Sequence, residues 1–80
     1  MQYTINKIKY LGGYRLKLFF NDNKHGEVDL SKYLWGEVFE PLKDKNIFKQ
    51  VKVSNELGTI VWPNGADIAP ETLYQEAVEN

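Results

Sequence analysis

The chain has 80 residues, 42% of them hydrophobic and 14% aromatic, with ten Lys and Arg against eleven Asp and Glu. That length holds one core and one domain, residues 1–80, and buries only roughly 60% of the unfolded surface. The aromatic content and net charge of −1 exclude a disordered chain, and the absence of cysteine excludes disulfide staples and thiolate catalysis.

"YTINKIKYL" and "YRLKLFF" flank Gly12-Gly13, a pair suited to a positive-φ hairpin turn. In the second segment Tyr14, Leu16, Leu18 and Phe20 face one way, and Arg15, Lys17 and Phe19 the other. In the first, Tyr3 and Ile5 share one phase but Ile8 and Tyr10 share the other, so a bulge is expected near Asn6-Lys7. "NDNK" at 21–24 is a second turn, and "HGEVDL" alternates again, completing a three-stranded meander with one apolar face.

In "SKYLWGEVFEPL", Ser31 is expected to cap a single helical turn carrying Tyr33, Leu34 and Trp35, which Gly36 ends. Pro41 fits an extended approach to the next helix. Asp44 is the better cap, because "DKNIFKQ" sets Ile47, Phe48 and Val51 on one flank at helical spacing. "VKVS" and "TIVW" read as short strands around the turn "NELG". Trp62-Pro63-Asn64-Gly65 fits a type I turn with Pro second and Gly fourth. Asp67 is expected to bond nearby backbone N–H groups, and Ile68 and Leu73 to form a hydrophobic staple about Ala69. A helix begins near Pro70, buries Leu73, Tyr74, Ala77 and Val78, and frays by Asn80. The order is β-β-β-α-β-β-α: an α+β fold with helices packed on one face of a mostly antiparallel sheet.

Chemical signatures are few. His25 is the single imidazole, and it has no His-x-x-His or Cys spacing with which to hold a metal. His25, Glu27 and Asp29 can share one strand face, as residues on solvated strands commonly do. Ser31 and Ser54 lack the strand–turn–helix elbow of a nucleophile, and no phosphate-loop pattern occurs. No catalytic, metal or cofactor-binding residue is therefore assigned, and no cofactor is expected. The basic residues Lys7, Lys9, Arg15 and Lys17, with Phe19, form a small candidate nucleic-acid face. A pI near 5.7 and a single Arg argue against it, so direct nucleic-acid binding is not expected.

Charge is divided along the chain. All ten bases lie within residues 1–52, while residues 53–80 carry five acids and no base. The plainest account is an acidic end packed near a basic sheet. No apolar run approaches the about 18 residues that span a bilayer, and "MQYTINKIKY" does not resemble a signal peptide. A cytoplasmic protein without membrane contact is expected.

The order "VFEPLKD", Phe48 with "VKVS", then "GTIVWPNGADIAPETLY" resembles a bacterial family of small domains of unknown function. The resemblance covers about residues 5 to 76, and "DLSKYL" and "YRLKLFFNDN" also follow its pattern. It implies a small α+β fold with no assigned activity. It further implies a gene often placed beside another short uncharacterised protein, an arrangement read as toxin–antitoxin-like. The C-terminal helix-turn-helix of some relatives has no counterpart in these 80 residues, so DNA binding by that route does not carry over. Pro41, Leu42, Asp44, the run Trp62 to Asp67, Pro70 and Tyr74 carry over only as pattern positions.

These observations lead to the expectation of a non-enzymatic protein-interaction module, antitoxin-like in its pairing, whose partner is another small protein encoded nearby. Trp35, Phe39, Trp62 and Asn64 are the expected interaction residues, since aromatic side chains anchor interfaces. The strand edge beside "VKVS" also allows a homodimer. A nucleic-acid-associated regulator using Lys7, Lys9, Arg15 and Lys17 is the alternative, and an enzyme pocket joining His25 to Asp67 a second one.

Overall fold

Alternation in "RLKLFF" drives the architecture: Leu16, Leu18 and Phe20 are buried, while the residues between them face outward. In the computed structural model, which describes residues 3–79, these residues form the central strand β2 (Arg15–Phe20). It pairs antiparallel with β1 (Ile5–Gly12) on one side and β3 (His25–Asp29) on the other. Gly12 and Gly13 turn the first hairpin at φ of 100° and 56°. The register of β1 slips between Ile5 and Lys7, which places the expected bulge at Asn6 and reconciles the two phases of that strand. Asn23, at φ 69°, turns the second hairpin, and the Asp22 carboxylate accepts the Lys24 N–H.

The segment after β3 departs from expectation in two places. Residues Ser31–Tyr33 form one 3-10 turn without a side-chain cap. Asp29, rather than Ser31, organises it by accepting the Ser31 N–H at 2.9 Å. A carboxylate two residues upstream reaches that N–H in a compact Asx turn. Pro41 is likewise not in an extended segment, because Glu40–Lys43 is a second 3-10 turn with the proline in its first positions. There its missing N–H costs no hydrogen bond. Asp44 does cap α1 (Lys45–Phe48), accepting the Asn46 N–H at 2.9 Å.

β4 (Lys52–Ser54) and β5 (Thr59–Val61) pair as a separate two-stranded ladder, so the five strands form two antiparallel sheets. The two are joined where Ile5 N–H donates to Gly58 O at 2.9 Å. The chain then folds back on β5. Gly65 N–H donates to Trp62 O, and Trp62 N–H donates to Ala66 O, each at 2.9 Å. With Gly65 at φ 88°, this is a type I turn closed by a left-handed residue, and the pairing continues as a bridge between Val61 and Asp67.

α2 (Pro70–Tyr74) starts at the N-cap Ala69 and continues as a π-helical stretch over Gln75–Glu79. The expected capping role of Asp67 is not realised, since α2 has no side-chain cap. Ile68 and Leu73, the expected staple pair, are both buried. Asn80, where fraying was expected, lies outside the described residues.

Gly26 is required by packing. A Cβ there would sit 1.9 Å from Ala77 O, so the C-terminal helical segment approaches the apolar face of the meander as closely as backbone allows. The buried side chains form one cluster, including Leu30, Leu34, Leu42, Phe48, Ile60, Trp62 and Leu73, against which the partly buried Tyr33, Val53, Ala77 and Val78 pack. Full burial of such a side chain contributes about 1.5–3 kcal/mol, and this cluster is what a short chain has to offset its ordering entropy. No helix among the described residues is long and apolar enough to cross a membrane.

Candidate functional site

Two buried leucines position the site. Leu34 and Leu42 are 3% and 0% exposed and pin the two 3-10 turns to the core. The intervening chain is held by Trp35 N–H to Tyr33 O and Glu40 N–H to Gly36 O, with Gly36 at φ 87°. This wrapping leaves Tyr33 and Phe39 half-buried and Trp35 74% exposed. Opposite them stand Asp67 and Ile68, which follow the Trp62–Ala66 turn, and Thr72 of α2. Together these six residues line a groove of about 410 Å³, within the range of about 300–1,000 Å³ in which clefts hold ligands.

Each wall is braced from behind. Thr59 Oγ1 donates to Ile68 O at 2.6 Å in a buried contact. Phe39 meets the Trp62 ring edge-on, with centroids 6.5 Å apart. The Asn64 side-chain amide donates to Val38 O at 2.8 Å, and its own oxygen accepts the Ala66 N–H at 3.1 Å. Tyr33 donates its hydroxyl to Glu76, which also holds Lys32 at 2.6 Å. Burial of the Tyr33 ring first, and that hydrogen bond second, push its phenol above the ordinary range. The bond to Glu76 likewise raises Lys32.

The four expected interaction residues separate into two pairs. Trp35 and Phe39 line the groove. Trp62 is 1% exposed and donates its indole N–H to Phe48 O at 2.9 Å, so its ring belongs to the core. Asn64 is exposed, but both ends of its amide are engaged within the chain. The two residues support the groove from beneath and from its rim. Sequence reasoning missed Tyr33, Ile68 and Thr72 as lining residues and treated Asp67 as a cap. Their convergence depends on contacts between segments about 30 residues apart, which local pattern does not encode.

A shallower depression of about 510 Å³ runs along β4 and β5 beside Leu57 and Pro63, where Lys52 and Glu56 mix charge with the strand edge. The basic residues lie elsewhere, on the outer face of the meander. Register places Lys7 opposite Phe19, Lys9 opposite Lys17, and Arg15 opposite Asp29. The ammonium groups of Lys7 and Lys17 stand 5.5 and 5.4 Å from the Phe19 ring centre, and Arg15 is paired with Glu27 at 2.9 Å. His25 packs against Phe19 on that face, whereas Asp67 lines the groove. Among the described residues no three His, Asp or Glu side chains converge as a metal site.

Neither the curated proteins nor the solved structures contain a match to this chain. Residues 5–79 match the family described as a protein of unknown function (DUF2442), and the chain belongs to that family.

Proposed function

We propose that this protein is a non-enzymatic interaction module that docks a protein partner over the groove between Trp35 and Asp67. The observation that carries this reading is Trp35 itself. An indole 74% exposed at the edge of an aromatic groove is a large apolar surface that folding leaves unused. Tryptophan is the residue type most enriched at interface anchors. Val38, 51% exposed, extends the apolar rim beyond it. The backbone under both is pinned by hydrogen bonds, so docking orders little chain, which lowers the entropic cost of binding.

The proposed partner is the small protein encoded alongside, which the family resemblance implies, with this chain as the neutralising half of an antitoxin-like pair in the cytoplasm. Co-expression of the two, with one tagged, tests the reading. Wild type co-purifies its neighbour, and Trp35→Ala does not. Equal recovery with Trp35→Ala, or no complex with wild type, refutes it.

A second reading rests on Phe19 lying between the ammonium groups of Lys7 and Lys17, an arrangement suited to stacking a base beside phosphates. Glu27 and Asp29 share that face and Arg15 is already paired, which weakens its positive field. Mobility shifts across a salt series decide it, because a backbone binder must weaken as salt rises.

A further inference from the structure

The lining of the groove carries one charged side chain, Asp67. It is exposed and forms no ion pair or side-chain hydrogen bond among the described residues. Lining the same groove are three aromatic side chains, Tyr33, Trp35 and Phe39, from a segment distant in sequence. A carboxylate and aromatic rings in one groove are a combination that attracts an organic cation, through Coulomb attraction and the ring quadrupoles together.

We infer that the groove is a receptor for a basic side chain, arginine or lysine, carried by the docking partner. This deepens the interaction reading above and rests on it for the source of the side chain. Four further features favour a cation. The sequence from residue 53 onward holds five acids and no base, so the wall bearing Asp67 belongs to a uniformly acidic block. Glu71 stands exposed in the first turn of α2, one residue before the lining Thr72, and extends the negative field at the rim. Lys32 is the base nearest the lining in sequence, and its ammonium rests 5.4 Å from the Tyr33 ring. That charge is compensated by Glu76 at 2.6 Å, so it leaves Asp67 unanswered while showing that a lining ring accepts an ammonium. The apolar lining by Ile68 and the rings suits the methylene stem of the guest, which long cationic side chains bury while the charged end finds its partner.

A neutral analogue separates charge recognition from apolar contact. N-acetyl-arginine amide and N-acetyl-citrulline amide, nearly equal in shape, are titrated into the whole ¹⁵N-labelled chain, following the Trp35 indole and Thr72 amide signals. The arginine probe moves both signals saturably, and the citrulline probe binds about tenfold or more weakly, a difference of about 1.4 kcal/mol. Asp67→Asn, an exposed position whose change leaves the remaining spectrum in place, lowers arginine affinity by a similar factor and leaves citrulline unchanged. Equal binding of the two probes, an arginine response indifferent to Asp67→Asn, or no movement at Trp35 overturns the inference. The outcomes also separate the two claims. If co-purification needs Trp35 but the arginine probe fails, the interaction module stands and the cationic guest falls. If the probe binds through Asp67 while co-purification ignores Trp35, the cation site stands and the partner reading falls.

Discussion

The side-chain amide of Asn64 donates a hydrogen bond to the backbone carbonyl of Val38, 2.8 Å away and 26 residues earlier in the chain. This bond ties the Trp62–Ala66 turn to the segment that carries Trp35 and Phe39, and so couples the two walls of the groove. Asn64→Ala removes it together with the Asn64–Ala66 bond. Two hydrogen bonds, one exposed and one part-buried, at about 0.5–1.5 kcal/mol each predict a loss of about 1–3 kcal/mol, readable as a lower urea midpoint. Faster hydrogen exchange confined to residues 36–40 and 63–66 accompanies it. Global exchange with no local excess contradicts a tether.

Trp35 and Trp62 respond oppositely to substitution. Trp35→Ala leaves stability within about 0.5 kcal/mol, as expected of an exposed site, while removing partner capture. Trp62→Phe removes the buried indole N–H bond to Phe48 O, which keeps only the longer bond from the Val51 N–H at 3.2 Å, and empties part of a packed core site. The lost hydrogen bond costs about 0.5–1.5 kcal/mol and the vacated ring volume adds to it, so this variant lowers the thermal midpoint and alters binding only through folding. A Trp62→Phe chain as stable as wild type counts against the core role.

Much of this was legible in local pattern. Leu16, Leu18 and Phe20 fix the face of β2 by strict alternation, and the phase conflict between Ile5 and Ile8 locates the bulge. Proline and glycine in Trp62–Gly65 specify the turn, which the Gly65–Trp62 hydrogen bond reproduces. What failed to show was side-chain destination. An Asp can cap several nearby N–H groups, so Asp29 took the duty expected of Ser31, while Asp67 capped nothing. A tryptophan after a strand reads the same whether buried or exposed; Trp62 is core because α1 brings the Phe48 carbonyl to it. The groove joins residues 33–39 to 67–72, a relation that no local spacing carries.

Gly26→Ala tests the packing of the C-terminal segment. The new methyl group meets Ala77 O at 1.9 Å, and that atom is backbone, so the segment must move away from β3. Overpacking of this kind costs about 1–3 kcal/mol, and amide exchange accelerates first across residues 75–79. Unchanged exchange there contradicts the close approach.

The Tyr74–Asp22 hydrogen bond, 2.7 Å long, makes stability pH-dependent at both extremes. It is the main cause that lowers the Asp22 pKa and raises that of Tyr74 to about 12. A depressed carboxylate stabilises the fold above its unfolded value of about 3.9, and that contribution disappears as pH falls through the lower folded value. A raised phenol stabilises it below its unfolded value of about 10, and that contribution disappears as pH rises towards about 12. Wild type therefore exceeds Tyr74→Phe in denaturation midpoint by a constant margin from about pH 5 to 9, and the margin shrinks in both acid and strong alkali. A margin independent of pH throughout refutes the linkage.

The central claim, that folding leaves the Trp35 groove open for a partner, is tested most directly by labelling both tryptophans with 5-fluorotryptophan. Fluorine spectra are then recorded while the neighbouring gene product is added. The account predicts that the Trp35 resonance moves or broadens in proportion to complex formed, while that of Trp62, buried against Phe48, holds its position. Complex formation with the Trp35 resonance unmoved would contradict it.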